Sequence, residues 1–191
     1  MKTEVKLCGI TRREDAEFAI ECGADYLGFV LVPNSKRYIS PERLKFFADL
    51  PVLKVGVFMN AEPELIRRVA EDCRLDIVQL HGAETAEFAE QIGFARVWKA
   101  SYEAGFPAER LVCDAPHGGS GTFGDHARAA ELAKVRPIML AGGITPENAA
   151  ELIRKVRPAG IDLAGGVESA PGIKDHDKIR KLFDNLKGME E

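Results

Sequence analysis

Eight short apolar runs, separated by amphipathic stretches, set the tightest limit on what this chain can fold into. They fall at 5–8, 26–32, 53–58, 77–80, 96–100, 111–114, 138–141 and 161–164. Most are near-continuous apolar segments rather than alternating ones, the pattern of strands covered on both faces. The stretches between them carry helix signals. Thr11 followed by Glu14 reads as a capping box. Ser40-Pro41 and Thr145-Pro146 each read as an N-cap with proline at the first helical position. The 62–73 segment sets Leu65, Ile66, Val69 and Ala70 on one stripe. Gly23, Gly93 and Gly188 stand where a left-handed terminating residue is wanted. After the fifth run, "SYEAGFPAER" is too short, and too broken by Gly105 and Pro107, for a full helix.

This order predicts an α/β fold: a (β/α)8 TIM barrel in a single domain over 1–191, with a truncated helical unit after strand five. An open doubly wound sheet would want a glycine fingerprint after the first strand, and "CGITRR" is not one. A chain of 191 residues is slightly short for a barrel, so its loops must be lean. The net charge of −4 argues against a general binder of nucleic acid or anionic membranes, while allowing a local cationic pocket. No run is long enough to span a membrane and no signal peptide opens the chain, so the expected location is cytoplasmic. The four cysteines are scattered without a CxxC pair, which suits reduced thiols and gives no metal-ligand spacing.

In barrels of this kind the reactive groups sit where strands end. Those positions hold Cys8, Arg37 just beyond strand two, Gln79 and His81, Lys99, Asp114, Gly142-Gly143, and Asp162 with Gly165-Gly166. "LAGGITPEN" and "LAGGVES" place paired glycines after the last two strands, where backbone N–H groups can approach an anion. "HGGSGT", with Gly118, Gly119 and Gly121, reads as a substrate loop or a further anion nest. Strand parity aims Val112 and Asp114 into the barrel and Cys113 out to the helices. Cys22 and Cys73 lie near helix ends as small apolar groups. Cys8 is thus the thiol placed for chemistry, and Lys6, two residues deeper on the same face, needs an interior acid as partner.

Read together, "KLCGITRREDAEFAIECGADYLGFVLVPNSKRYISPE", "VGVFMN", "VQLHG", "DAPHGGSGT", "LAGGITPENA" and "GVESAPGIKDHDKI" closely resemble the phosphoribosylanthranilate isomerase family in order and spacing. The resemblance covers nearly the whole chain, and the pairing of CGIT with SKRYIS is its most specific part. It implies a cofactor-free Amadori rearrangement in tryptophan biosynthesis, on a small substrate bearing a carboxylate and a phosphate. Carried onto this chain, Asp114 is the general acid at the ring oxygen and Cys8 the general base at ribose C2. Arg37 holds the anthranilate carboxylate, and the glycines at 142–143 and 165–166 bind phosphate. His81 lines the anthranilate side, and Asp162 joins the substrate-binding set. A thiolate base would need its pKa lowered by cations or backbone dipoles. The implied partner is this metabolite alone, bound by a monomer or homodimer, with no metal.

Two departures from the family pattern stand out. Gly124 and His126 occupy positions where aromatic residues are expected after the GGSG loop, which bears on how that loop is anchored. "DLAGG" lacks a side-chain hydroxyl at 164–165. The related histidine-pathway Amadori enzyme carries a carboxylate rather than a thiol on its first strand, so Cys8 speaks against it. A binding protein without turnover would not need Cys8, Asp114 and Arg37 together.

Overall fold

A computed structural model describes residues 3–115 and 124–189. Its eight parallel strands are β1 Glu4–Cys8, β2 Tyr26–Val30, β3 Leu53–Phe58, β4 Ile77–Leu80, β5 Val97–Ala100, β6 Arg110–Cys113, β7 Ile138–Leu140 and β8 Gly160–Leu163. Each pairs with the next and β8 closes onto β1, giving the expected (β/α)8 barrel. The closing register sets Lys6 beside Asp162 and Leu7 beside Leu163. Helices α1 Arg13–Cys22, α2 Pro41–Leu44, α3 Pro63–Asp72, α4 Ala86–Ile92, α5 His126–Ala133, α6 Ala149–Val156 and α7 His176–Lys187 surround it. Residues 101–109, between β5 and β6, form turns without a helix, so the unit after strand five is truncated. No helix among the described residues is long and apolar enough to cross a membrane.

Alternation along each strand separates two apolar layers. Tyr26, Val55, Ile77, Trp98, Val112 and Met139 fill the barrel interior. Leu7, Leu27, Phe29, Leu80, Cys113 and Leu163 face outward and meet helical residues such as Ile66, Ile153 and Leu182. Bulky side chains fill the lower interior, and a cavity opens at the C-terminal ends of the strands.

Several local expectations need correction. Thr11 does not cap α1: its hydroxyl donates to the Gly172 carbonyl at 2.5 Å, and Arg12 takes the N-cap position without a side-chain capping bond. Thr145-Pro146 does not open α6, which starts at Ala149 behind Asn148, because 145–148 form a turn instead. Gly188 is right-handed, whereas Gly23 and Gly93 do end their helices in the left-handed region. Leu65 lies on the solvent side of α3, whose buried stripe is Ile66, Val69 and Ala70. Ser40 caps α2 as expected, accepting from the Arg43 amide.

Candidate active site

A cavity of about 660 Å³ opens at the C-terminal ends of the strands. Cys8, Arg37, Gln79, His81, Asp114, Asp162 and both glycine pairs line it, so a set dispersed over the chain converges on one place. Lys99 does not join them. Trp98 points into the barrel, so Lys99 points out, where its Nζ meets Glu84 at 2.9 Å and the Gly82 carbonyl at 2.6 Å. Gly118, Gly119 and Gly121 lie outside the described residues.

The floor is built by β1 and β8. Lys6 Nζ sits 2.6 Å from Asp162 Oδ2, with the lysine fully buried. Burial works against the Lys6 charge, but Asp162 and Cys8 outweigh it and the ammonium is stabilised. Asp162 is therefore the interior acid that Lys6 requires. Its Oδ1 is buried without a hydrogen-bond partner among the described residues, as is Oε1 of Gln79. Two unsatisfied acceptors at a cavity floor are costly unless a ligand supplies donors.

Cys8 needs room that its neighbour provides. Cys8 pairs with Gly28 on β2, where a Cβ would lie 2.7 Å from Sγ and 3.0 Å from Lys6 Cε. Burial pushes the Cys8 thiol up, and Lys6 and Lys174 pull against it without reversing the shift. Desolvation at the barrel floor thus opposes the effect of the cations.

Across the mouth, Asp114 Oδ2 lies 3.5 Å from His81 Nε2, and Oδ1 accepts from the Ala115 amide at 2.7 Å. Gln79 Nε2 lies 3.1 Å from His81 Nδ1, so the glutamine holds the ring from the side away from Asp114. Val112 in the interior and Cys113 in the outer layer confirm the parity that places Asp114 here.

The glycine pairs differ in their reasons. Gly142 and Gly143 both have positive φ, 83° and 66°, which favours glycine at each position. Gly166 lacks that constraint, but a Cβ there would fall 1.9 Å from the Ile144 carbonyl oxygen, so the two turns interlock. Asn148 secures the first by accepting from the Thr145 amide and donating to the Gly143 carbonyl. Gly165 opens a single 3-10 turn, Gly165–Val167, not an α-helix. No hydroxyl stands at 164–165, and Thr145, whose backbone lies beside Gly166, lines the cavity from the other turn.

Arg37 reaches the site across Gly9, whose φ is +78° and whose Cβ would lie 2.5 Å from Arg37 Cδ. This contact explains why "CG" and "SKR" occur together. The guanidinium is bound by Glu168, with Nη2 at 2.7 Å from Oε2. Glu168, Lys174, Gly9 and Gly28 escape a reading restricted to strand ends. Two are glycines that make space, and two sit in the connection after β8.

Gly124 also has a local explanation. A Cβ there would lie 2.8 Å from the Tyr102 hydroxyl, which accepts from the Asp125 amide at 3.1 Å. Arg128 lies over the Tyr102 ring at 5.2 Å. Tyr102, from the truncated unit after β5, thus occupies space beside Gly124 and anchors the start of α5.

Comparison with known proteins gives this architecture its family. The model of the N-(5'-phosphoribosyl)anthranilate (PRA) isomerase family matches residues 5–185. The chain belongs to the phosphoribosylanthranilate isomerase family. It is similar to the N-(5'-phosphoribosyl)anthranilate isomerase of Geotalea uraniireducens, at 43% identity over 98% of this chain and 100% of the relative. The phosphoribosylanthranilate isomerase structure from Thermus thermophilus superimposes with a TM-score of 0.92 at 45% identity, covering 98% of this chain and 100% of that one. A family structure in complex with reduced 1-(o-carboxyphenylamino)-1-deoxyribulose 5-phosphate gives a TM-score of 0.87 at 41% identity, covering 97% and 99%. As a family member the chain is an isomerase of tryptophan biosynthesis.

Proposed function

We propose that the chain converts N-(5-phosphoribosyl)anthranilate to 1-(2-carboxyphenylamino)-1-deoxyribulose 5-phosphate, with Asp114 as general acid and Cys8 as general base. The observation that carries this reading is a single cavity holding both groups, an arginine and two interlocked glycine turns. Asp114 gives a proton to the ribose ring oxygen as the C1–O bond breaks, leaving a C1=N iminium. Cys8 as thiolate removes the proton from C2, and that electron pair forms the C1–C2 double bond of an enol-amine. Tautomerisation of the enol gives the C2 ketone, so substrate and product have the same composition.

The remaining contacts suit such a molecule. The backbone of the turns at 142–143 and 165–166 can approach a phosphate closely. Arg37 serves the anthranilate carboxylate and His81 the aromatic side. Asp162 Oδ1, an acceptor without a described protein partner, suits a sugar hydroxyl. Burial raises the Cys8 thiol, and Lys6 and Lys174 oppose that rise on the side of the thiolate. The test is fluorescence detection of product from freshly prepared phosphoribosylanthranilate, beside rescue of a tryptophan auxotroph lacking this step. Absence of both signals from a folded protein would overturn the reading.

A further inference from the structure

Glu168 opens the short strand β9 (Glu168–Ala170), which pairs with β10 (Ile173–Lys174) after the turn that follows β8. Its side chain is 4% exposed, yet it carries an unusual load of donors for a residue outside the barrel strands. Arg37 Nε lies 2.9 Å from Oε1, Arg37 Nη2 lies 2.7 Å from Oε2, and the Gly172 amide donates to Oε1 at 3.2 Å. Lys174 Nζ joins them at 2.9 Å from Oε1. Burial pushes the Glu168 carboxyl up, but Arg37 and Lys174 outweigh it and keep the group ionised.

Lys174 extends the connection to the floor. Its buried ammonium also donates to the Cys8 carbonyl at 2.6 Å and the Ala164 carbonyl at 3.3 Å, which uses all three of its donors. Its own amide donates to Asp15 Oδ2 at 3.0 Å, so the lysine is fixed from both ends. The carboxylate thus joins the arginine beyond β2 to the ends of β1 and β8, between residues 131 positions apart in the chain. Buried ionic clusters are weak devices for stability, since apolar replacements of equal volume often serve as well. What this one supplies is placement. The Nε–Nη2 edge of Arg37 is occupied, and Nη1 is left without a hydrogen-bond partner among the described residues, on a residue that lines the cavity.

We propose that Glu168 is a positioning residue for the isomerase reaction: it clamps one edge of Arg37 so that the other edge meets the ligand carboxylate, and through Lys174 it steadies the Cys8 end of β1. This rests on the assignment of Arg37 to the carboxylate and Cys8 to the base. The bidentate geometry matters because a guanidinium fork loses less freedom per bond when it is already held. An unclamped Arg37 would retain its charge and lose its aim.

The experiment compares Glu168→Gln, Arg37→Met and the double variant in the full chain, measuring kcat, KM and thermal midpoint on phosphoribosylanthranilate. Glu168→Gln is expected to raise KM by about tenfold, with a smaller fall in kcat. The double variant should match Arg37→Met within about twofold in KM, because the two residues act as one unit. Folded Glu168→Gln with an unchanged KM, beside Arg37→Met with a raised one, would overturn this proposal and leave the Arg37 assignment standing. Multiplicative effects in the double variant would do the same. Arg37→Met with an unchanged KM would overturn the carboxylate assignment and the proposal with it. Where Glu168→Gln does not fold, Glu168→Asp is read instead: it keeps the charge but withdraws it by one methylene, and its KM must rise for the proposal to stand.

Discussion

Gly28 leaves the space that the Cys8 thiol fills: a Cβ at residue 28 would lie 2.7 Å from Sγ and 3.0 Å from the Cys8 Cα. The consequence is a spatial requirement on β2 for the base proposed on β1. Gly28→Ala should displace the thiol and the Lys6 stem, costing about 1–3 kcal/mol of stability as overpacking does. Turnover should fall at least about tenfold, since a misplaced base transfers a proton poorly. Gly105→Ala, where nothing lies within 4 Å of the added methyl, is the control and should change neither quantity. A folded Gly28→Ala enzyme with unaltered kcat would show that Cys8 tolerates displacement.

The four thiols should separate by chemistry. Cys8→Ala should remove nearly all turnover and leave binding of a product analogue largely intact, while Cys113→Ala keeps its activity. Cys113 faces the outer layer, and burial pushes its thiol up to about 12. Because the Cys8 thiol is also raised by burial, its alkylation should accelerate steadily with pH and show no plateau below about pH 9, near the ordinary range of a free thiol. A saturating ligand should slow the reaction. A rate already level at pH 7, followed by mass spectrometry of the Cys8 peptide, would mean that the cations at the floor prevail over desolvation.

Acid stability offers a test remote from the cavity. Asp15 is fully buried, and desolvation pushes its carboxyl up, but hydrogen bonds from Arg12, the Lys174 amide and His176 hold it below the usual carboxylate range. Glu84 behaves alike, with Lys99 and the Asn60 amide prevailing over burial. A carboxylate depressed in the folded state contributes stability that is present above its unfolded pKa of about 4 and lost as pH falls through the folded value. The thermal midpoint should therefore change little on this account from pH 7 to 5 and decline below about pH 4. Asp15→Asn should lose roughly 1–3 kcal/mol at pH 7 and decline less steeply in acid. Equal losses at pH 7 and pH 3 would show that ionisation of Asp15 contributes nothing.

What was legible in the sequence follows from what one-dimensional pattern can carry. Strand positions and the in-or-out parity of Cys113 and Asp114 are local properties, and they hold. The need of Lys6 for an acid is local too, but its identity is not, because Asp162 lies beside it only once the barrel closes. Lys99 was misplaced by counting strand ends without applying the same parity that sorted Cys113 from Asp114. The Thr11 cap failed for a tertiary reason, since the Gly172 carbonyl competes for its hydroxyl. Gly9 and Gly28 look like any glycine beside an apolar run until Arg37 and Cys8 are set against them. Glu168 lies outside every barrel-strand end, so nothing in its neighbours announces the arginine it holds.

Asp114 gives the last prediction, which separates acid catalysis from mere placement of the sugar. Its proposed task requires a proton on the carboxyl when the ring opens, whereas Cys8 must have lost its proton for the next step. Opposite requirements give a bell-shaped pH dependence where these steps limit the rate. Asp114→Asn keeps the shape and offers an N–H donor, but it has no proton to release. It should bind the product analogue nearly as well as the parent and lose at least about a hundredfold in kcat, the scale of a general acid–base contribution. The residual rate should also lose its alkaline limb and climb with pH as Cys8 ionises, because the remaining titration belongs to the base alone. His81 stays in both enzymes, 3.5 Å from the site of substitution, so a bell that survives in Asp114→Asn would assign the alkaline limb to His81 instead.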